Sequence, residues 1–152
     1  MTEKPDKSAQ SIPPLAEWPG DPLDWLALFG SLDHAQAFAA LFWPAFVRHD
    51  DCTFLEFDEK IYADWLAKLK GDKTRVEATM NHRHICDLLP CPERKTTREQ
   101  ITSVGKLLRE TWGAKLRNDF PGERFTVRFS EDYSEDLIDY SITVFHHRDP
   151  IN

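Results

Sequence analysis

The chain has 152 residues, 41% of them hydrophobic and 30% charged, with a net charge of −7. That length suits one domain with a real core, and five Trp with ten Phe suit a packed globule over a disordered chain. The negative charge speaks against a nucleic-acid partner, whose phosphates need a basic surface, and against an anionic membrane.

No apolar run approaches the roughly 18 residues of a membrane span. The N-terminus lacks the basic-then-apolar pattern of a secretory signal. Three cysteines are an odd number and too few for a disulfide framework. The expectation is therefore a cytoplasmic protein with reduced thiols.

Residues 1–22 hold five of the ten prolines and show no apolar period. They read as a flexible tail, with residues 23–149 as a single α+β domain. Ile12, Leu15 and Trp18 would let the second half of that tail pack across the body or meet a partner.

Residues 23–29 suit a short helix stopped by Gly30. Ser31 can cap the next helix, whose buried face is expected to be Ala35, Phe38, Ala39 and Phe42, with Pro44 limiting it. Phe46–Val47 and residues 52–57 flank His49–Asp50–Asp51 as a hairpin, although Asp-Asp is a poorer tight turn than Asp-Gly.

Asp58 can cap a helix that places Ile61, Tyr62, Trp65, Leu66 and Leu69 on one face, with Gly71 ending it. Thr74 with Glu77 reads as a capping box for a further helix through Val76 and Met80. That helix either runs to Leu89 or stops near Asn81. The second reading is preferred, because Asn-His-Arg-His is a weak helix interior. It leaves residues 84–89 as a short buried strand.

The strongest period runs from Thr97 to Asn118. Thr97 and Gln100 form a capping box, and Ile101, Val104, Leu108, Trp112 and Leu116 make one stripe at 100° per residue. Gly105 falls inside the stripe, where it costs about 1 kcal/mol relative to alanine. Close approach of another backbone would explain it. After Pro121–Gly122, Phe125, Val127 and Phe129 alternate with Arg124, Thr126 and Arg128. Beyond a polar loop, Ile138, Tyr140, Ile142 and Val144 alternate with Asp139, Ser141 and Thr143. Two such strands should pair antiparallel under the preceding helix. The whole order is α-α-β-β-α-α-(β)-α-β-β, an α+β fold with a mostly antiparallel sheet of four or five strands.

Five groups bear on function. His82, His84, Cys86 and Cys91 are all zinc-ligand types. Their spacing matches no familiar paired-ligand pattern, and three ligands along one strand, at about 3.3 Å per residue, spread too far to share an ion easily. A buried thiol at Cys86 and hydrogen-bonded histidines are the plainer reading. Cys86 or Cys91 as a nucleophile would need an oriented base, and no base is evident. Cys52 reads as strand core. His49, Asp50 and Asp51 at a turn, and His146 and His147 at a strand end, would make a site only if the fold joined them.

The acidic run Glu131, Asp132, Glu135, Asp136 and Asp139 lacks the calcium-loop pattern. It reads as a solvated loop or as a negative surface for a basic protein. Lys106, Arg109 and Arg117, with Glu110, form an ordinary solvated helix face. No phosphate-binding glycine loop, dinucleotide fingerprint, nucleophile elbow or paired-histidine metalloprotease helix occurs, so no cofactor is expected.

The expected function is binding to another protein, with an inhibitor- or immunity-type partner as one form of it. The alternative is a small enzyme or ligand- or metal-binding domain using residues 82–91 and the His146 region. Homo-oligomerisation through surplus aromatics is a third possibility.

Overall fold

The computed structural model describes residues 12–92, 95–130 and 136–148. A 3-10 turn, Leu15–Glu17, precedes α1 (Pro22–Phe29), α2 (Leu32–Phe42), β1 (Val47–His49) and β2 (Cys52–Phe54). Then come α3 (Glu59–Lys68), α4 (Lys73–Met80), β3 (Arg83–His84), α5 (Ile85–Leu88) and α6 (Arg98–Asp119). β4 (Phe125–Ser130), a 3-10 turn at Leu137–Asp139 and β5 (Ser141–His146) close the chain. The fold is α+β, and its strands pair antiparallel as expected. They do not form one sheet of four or five strands. β1 and β2 form a two-stranded sheet, and the other is three-stranded in the order β3-β5-β4.

The chain divides into two compact units, Met1–Phe38 and Ala39–Asn152. In the first, Asp21 caps α1 by accepting from Leu23 N, with Pro22 opening the helix. Ser31 Oγ accepts from His34 N at 3.1 Å and so caps α2. Trp18 meets Phe29 edge-on at 5.7 Å, and Trp25 donates its indole N–H to the Pro13 carbonyl at 2.9 Å. The expected buried face of α2 is a correction. Ala35, Phe38 and Ala39 are exposed, and only Phe42 is partly covered. Periodicity identifies an apolar stripe but cannot say that anything covers it.

The second unit is built on α6. Its capping box forms as expected: Gln100 N donates to Thr97 Oγ1 at 3.2 Å and Thr97 N to Gln100 Oε1 at 2.9 Å. Ile101, Leu108, Trp112 and Leu116 are buried against Phe129, Tyr140, Ile142 and Val144. Trp112 donates its indole N–H to the Leu41 carbonyl at 2.8 Å, which satisfies the one polar atom of a side chain 1% exposed.

Phe129 faces Ile142, and Val127 faces Val144. Ile138 is no part of that strand. It lies in the 3-10 turn, 57% exposed, because Asp136 Oδ1 accepts its N–H and turns the chain locally.

Two further expectations shift. Asp72, not Thr74, caps α4 by accepting from Arg75 N at 3.0 Å, so Glu77 is not a capping residue. α4 ends at Met80 with Asn81 as its C-cap, as preferred from the sequence. The strand after it, however, is only Arg83–His84, and Ile85–Leu88 is a single helical turn.

Gly105 has an identifiable reason. A Cβ there would overlap the Phe129 ring. The close neighbour is thus an aromatic side chain and not a backbone. Alanine would gain about 1 kcal/mol of helix propensity but forces overpacking that costs about 1–3 kcal/mol. Gly105→Ala is expected to lower the urea midpoint, and Phe129→Leu in that background should recover part of the loss. An unchanged or raised midpoint for Gly105→Ala would show that the ring moves aside freely.

Candidate functional site

The hairpin β1–β2 turns on Asp50 and Asp51, with φ of 50° and 62°. Both values are left-handed, as a tight two-residue turn of the primed kind requires. Aspartate tolerates that region better than most residues. The turn is also held from outside. Tyr62 Oη donates to Asp50 Oδ2 at 2.6 Å, and Lys73 Nζ donates to Oδ1 at 2.9 Å. The Tyr62 hydroxyl and the Lys73 ammonium hold the Asp50 carboxyl below the usual carboxylate range. Burial, with the Asp50 hydrogen bond, pushes the Tyr62 phenol well up. His49 stacks on Phe57 at 4.3 Å.

Below the turn lies a wholly buried carboxylate. Glu77 is 0% exposed. Its Oε1 accepts from Thr53 N at 2.7 Å; its Oε2 accepts from His146 N at 2.9 Å and from Arg148 at 2.7 Å. One helical turn on, Asn81 accepts from Leu55 N at 2.9 Å. It donates to the carbonyls of Thr53 at 2.8 Å and Val144 at 3.0 Å. Arg148 also donates to the Asp51 carbonyl at 2.7 Å. Cys52 sits beside this network, fully buried, and burial followed by the nearby Glu77 charge pushes its thiol up. A thiol so placed is inert. Every polar atom of Glu77 and Asn81 is spent on backbone or on Arg148, so the network is a joint and not a reactive centre.

The His/Cys group separates. Cys86 and Cys91 are joined in a disulfide, with Cα atoms 5.1 Å apart. This corrects the expectation of three reduced thiols and removes both sulfurs from any zinc site. The pairing follows from the helical turn at Ile85–Leu88, which swings Cys86 off the line of β3 and towards the loop carrying Cys91. His82 and His84 meet edge-on at 5.0 Å. Burial, helped by the His84, Arg83 and Arg128 charges, lowers the His82 pKa. His84 Nδ1 is buried without a partner. Among the described residues, no three His, Cys, Asp or Glu side chains gather as a metal site.

Nor do the remaining histidines converge. His146 stacks on Phe125 at 4.6 Å, with Nε2 3.2 Å from Glu123, and Glu123 also binds Arg48 at 2.6 Å. His82 lines a cavity of about 370 Å³ with Arg128, Ser130, Ser141 and Thr143. His147 lines another, of about 390 Å³, with Arg117, Glu123 and Arg124. Each of these cavities carries one histidine. Two residues past the end of β5, Arg148 reaches the hairpin, where it donates to the Asp51 carbonyl. Glu131, Asp132 and Glu135 lie outside the described residues, Asp136 caps the 3-10 turn and Asp139 lies within it.

The largest of these openings, about 730 Å³, lies between α1 and α2 and is lined chiefly by Leu23, Leu26, Ala27, Leu32, Ala35 and Phe38. Leu23 is 72% exposed, Leu28 66% and Leu32 85%. Between residues 12 and 38 none of the side chains is buried. The sequence signal for this surface is the apolar stripe of α2, which periodicity alone assigns to a core.

No family model matches the chain, and no curated protein or solved structure matches it.

Three outcomes follow from these contacts. Glu77→Ala should cost about 3–5 kcal/mol in chemical unfolding, as loss of one member of a buried ion pair does; a loss below about 1 kcal/mol would mean that water replaces the carboxylate. Because the folded pKa of Asp50 lies below its unfolded value of about 3.9, its contribution is present above that pH and lost as pH falls through the folded value. Asp50→Asn should therefore flatten the acid limb of a stability–pH curve; an unaltered limb contradicts the clamp. Thiol titration of denatured, unreduced protein should count Cys52 alone, and all three cysteines only after reduction.

Proposed function

We propose that this protein works by binding another protein, and that the apolar face of α1 and α2 is where it does so. The observation behind this reading is a pair of helices rich in leucine, alanine and phenylalanine without one buried residue between positions 12 and 38. Helices of 8 and 11 residues are marginal in water by themselves. They gain their stability from a covered apolar face, and a contiguous exposed one marks an interaction surface. A partner that buries Leu23, Leu26, Leu32 and Phe38 supplies that cover.

An inhibitor- or immunity-type role through Glu131, Asp132, Glu135, Asp136 and Asp139 is a narrower form of the same reading. Of the two surfaces, the α1–α2 face has the geometry in its favour. The competing enzyme reading draws on residues 82–91 and the His146 region; His82 and His84 meet edge-on, whereas His146 stacks on Phe125 beside Glu123. No helix among the described residues is long and apolar enough to cross a membrane. A cytoplasmic setting, read from composition, makes the Cys86–Cys91 bond a reversible one, since that compartment keeps thiols reduced.

Amide hydrogen exchange tests the binding reading. In the isolated chain the amides of α1 and α2 should exchange far faster than those of α6, because these short helices have no buried residue between positions 12 and 38. Protection of α1 and α2 equal to that of α6 in a monomeric sample would show the face already covered and would end the proposal.

A further inference from the structure

The chemistry of the α1–α2 face also specifies its occupant. We infer that the cleft receives an amphipathic α-helix whose apolar stripe is flanked by lysine or arginine. The inference rests on the binding reading above and adds the partner's chemistry.

The shape argues for a helix. The cleft lies between two helices about 12 and 16 Å long at 1.5 Å per residue, which matches two or three turns of a third. Its lining is apolar except for Ser31 and His34, and Ser31 Oγ already accepts from His34 N. Helices satisfy their own main-chain groups, so the walls offer an extended peptide few backbone partners. A helix needs none, since its N–H and C=O groups bond internally. It engages instead through side chains at i, i+3, i+4 and i+7.

The charge argues for a basic flank. From residue 12 to residue 38 the chain carries Glu17, Asp21, Asp24 and Asp33, and no lysine or arginine. Asp21 is occupied as the α1 cap. Asp24 and Asp33 stand exposed in the first turns of α1 and α2, where they offset the helix dipoles, each next in sequence to a leucine that lines the cleft, Leu23 and Leu32. A second copy of the chain would bring these carboxylates against their like. An anionic lipid surface would be repelled in the same way. A helix bearing lysine or arginine beside its apolar stripe meets attraction on both counts.

The test uses the full chain and two labelled synthetic helical peptides that share one leucine–alanine stripe. One has lysine on its polar face, the other glutamate, and binding is read by fluorescence anisotropy at two salt concentrations. The lysine peptide is expected to bind, more weakly at high salt. The glutamate peptide should bind at least about tenfold less tightly, as attraction turns to repulsion at two sites. Asp24→Asn with Asp33→Asn should weaken the lysine peptide about fivefold, the equivalent of two exposed ion pairs. Leu26→Asp with Phe38→Asp should abolish binding, while circular dichroism shows the second unit still folded.

Equal binding of both peptides would overturn the basic flank and leave the apolar docking reading standing. Lysine-peptide binding that survives Leu26→Asp with Phe38→Asp would place the contact elsewhere and overturn both. If neither peptide binds, the helical occupant is wrong. Sedimentation then separates a dimer that Leu26→Asp breaks, which keeps the docking reading with a second copy, from a monomer, which ends that reading too.

Discussion

The second unit depends on two side chains of α4 that act in place of a β-strand. β3 pairs with β5 only at Ser141 and Ile142, so further along β5 the same edge is open. There Asn81 donates to the Val144 carbonyl and Glu77 accepts from His146 N. The same two residues satisfy Thr53 and Leu55 of the hairpin segment. Four residues apart, they lie on one face of the helix and bind two sheets that have no ladder between them. A buried unpaired peptide group costs about 1–3 kcal/mol, and here several are satisfied at once. A buried carboxylate is tolerable only when fully bonded, and Glu77 is, with two amides and the Arg148 guanidinium. The polar joint is what makes one body of two small apolar clusters, one under α6 and one around Phe54, Tyr62 and Val76.

The hairpin depends on that joint in turn. A two-residue turn with both φ values positive is strained for most residues other than glycine, and less so for asparagine and aspartate. The chain places aspartate there twice and then holds the first by Tyr62 and Lys73 and the carbonyl of the second by Arg148. Strain at a non-glycine turn is often a sign of function. In this case the bonds that hold it are accounted for, and the nearest thiol, Cys52, is sealed and hard to ionise. The geometry fixes the hairpin onto α3 and α4.

Much of the architecture was legible in the residues, and the legible parts share a cause. α6 shows itself by its capping box and by an apolar stripe running from Ile101 to Leu116. β4 and β5 show themselves by strict alternation. Those are local signals, carried by neighbours in sequence. What stayed hidden depends on distant partners. Glu77 looks like the end of a capping box because Thr74 precedes it by three, and only the fold reveals that Asp72 does the capping and that Glu77 points inward. Ile138 fits the alternation of β5 until Asp136 takes its N–H. Cys86 and Cys91 meet because a single helical turn follows β3, a turn too short to show a period. Of the candidate histidines, His82 and His84 lie two residues apart and meet edge-on, whereas His49 stacks on Phe57 and His146 on Phe125, so the segments distant in sequence bring no shared histidine site together among the described residues.

The contrast between the two units carries the functional argument. From Ala39 onward every long helix has a covered face, and the buried polar groups of the joint are bonded. Between residues 12 and 38 the composition is just as apolar, yet the faces stand open. An apolar helix in water gains little from its own hydrogen bonds and must find cover to persist. On the binding reading proposed above, what covers the first unit is apolar, roughly helical in width and compatible with the carboxylates of Asp24 and Asp33. Among the described residues, the convergent polar groups of Glu77 and Asn81 hold two sheets together, and the cleft between α1 and α2 is lined chiefly by apolar side chains.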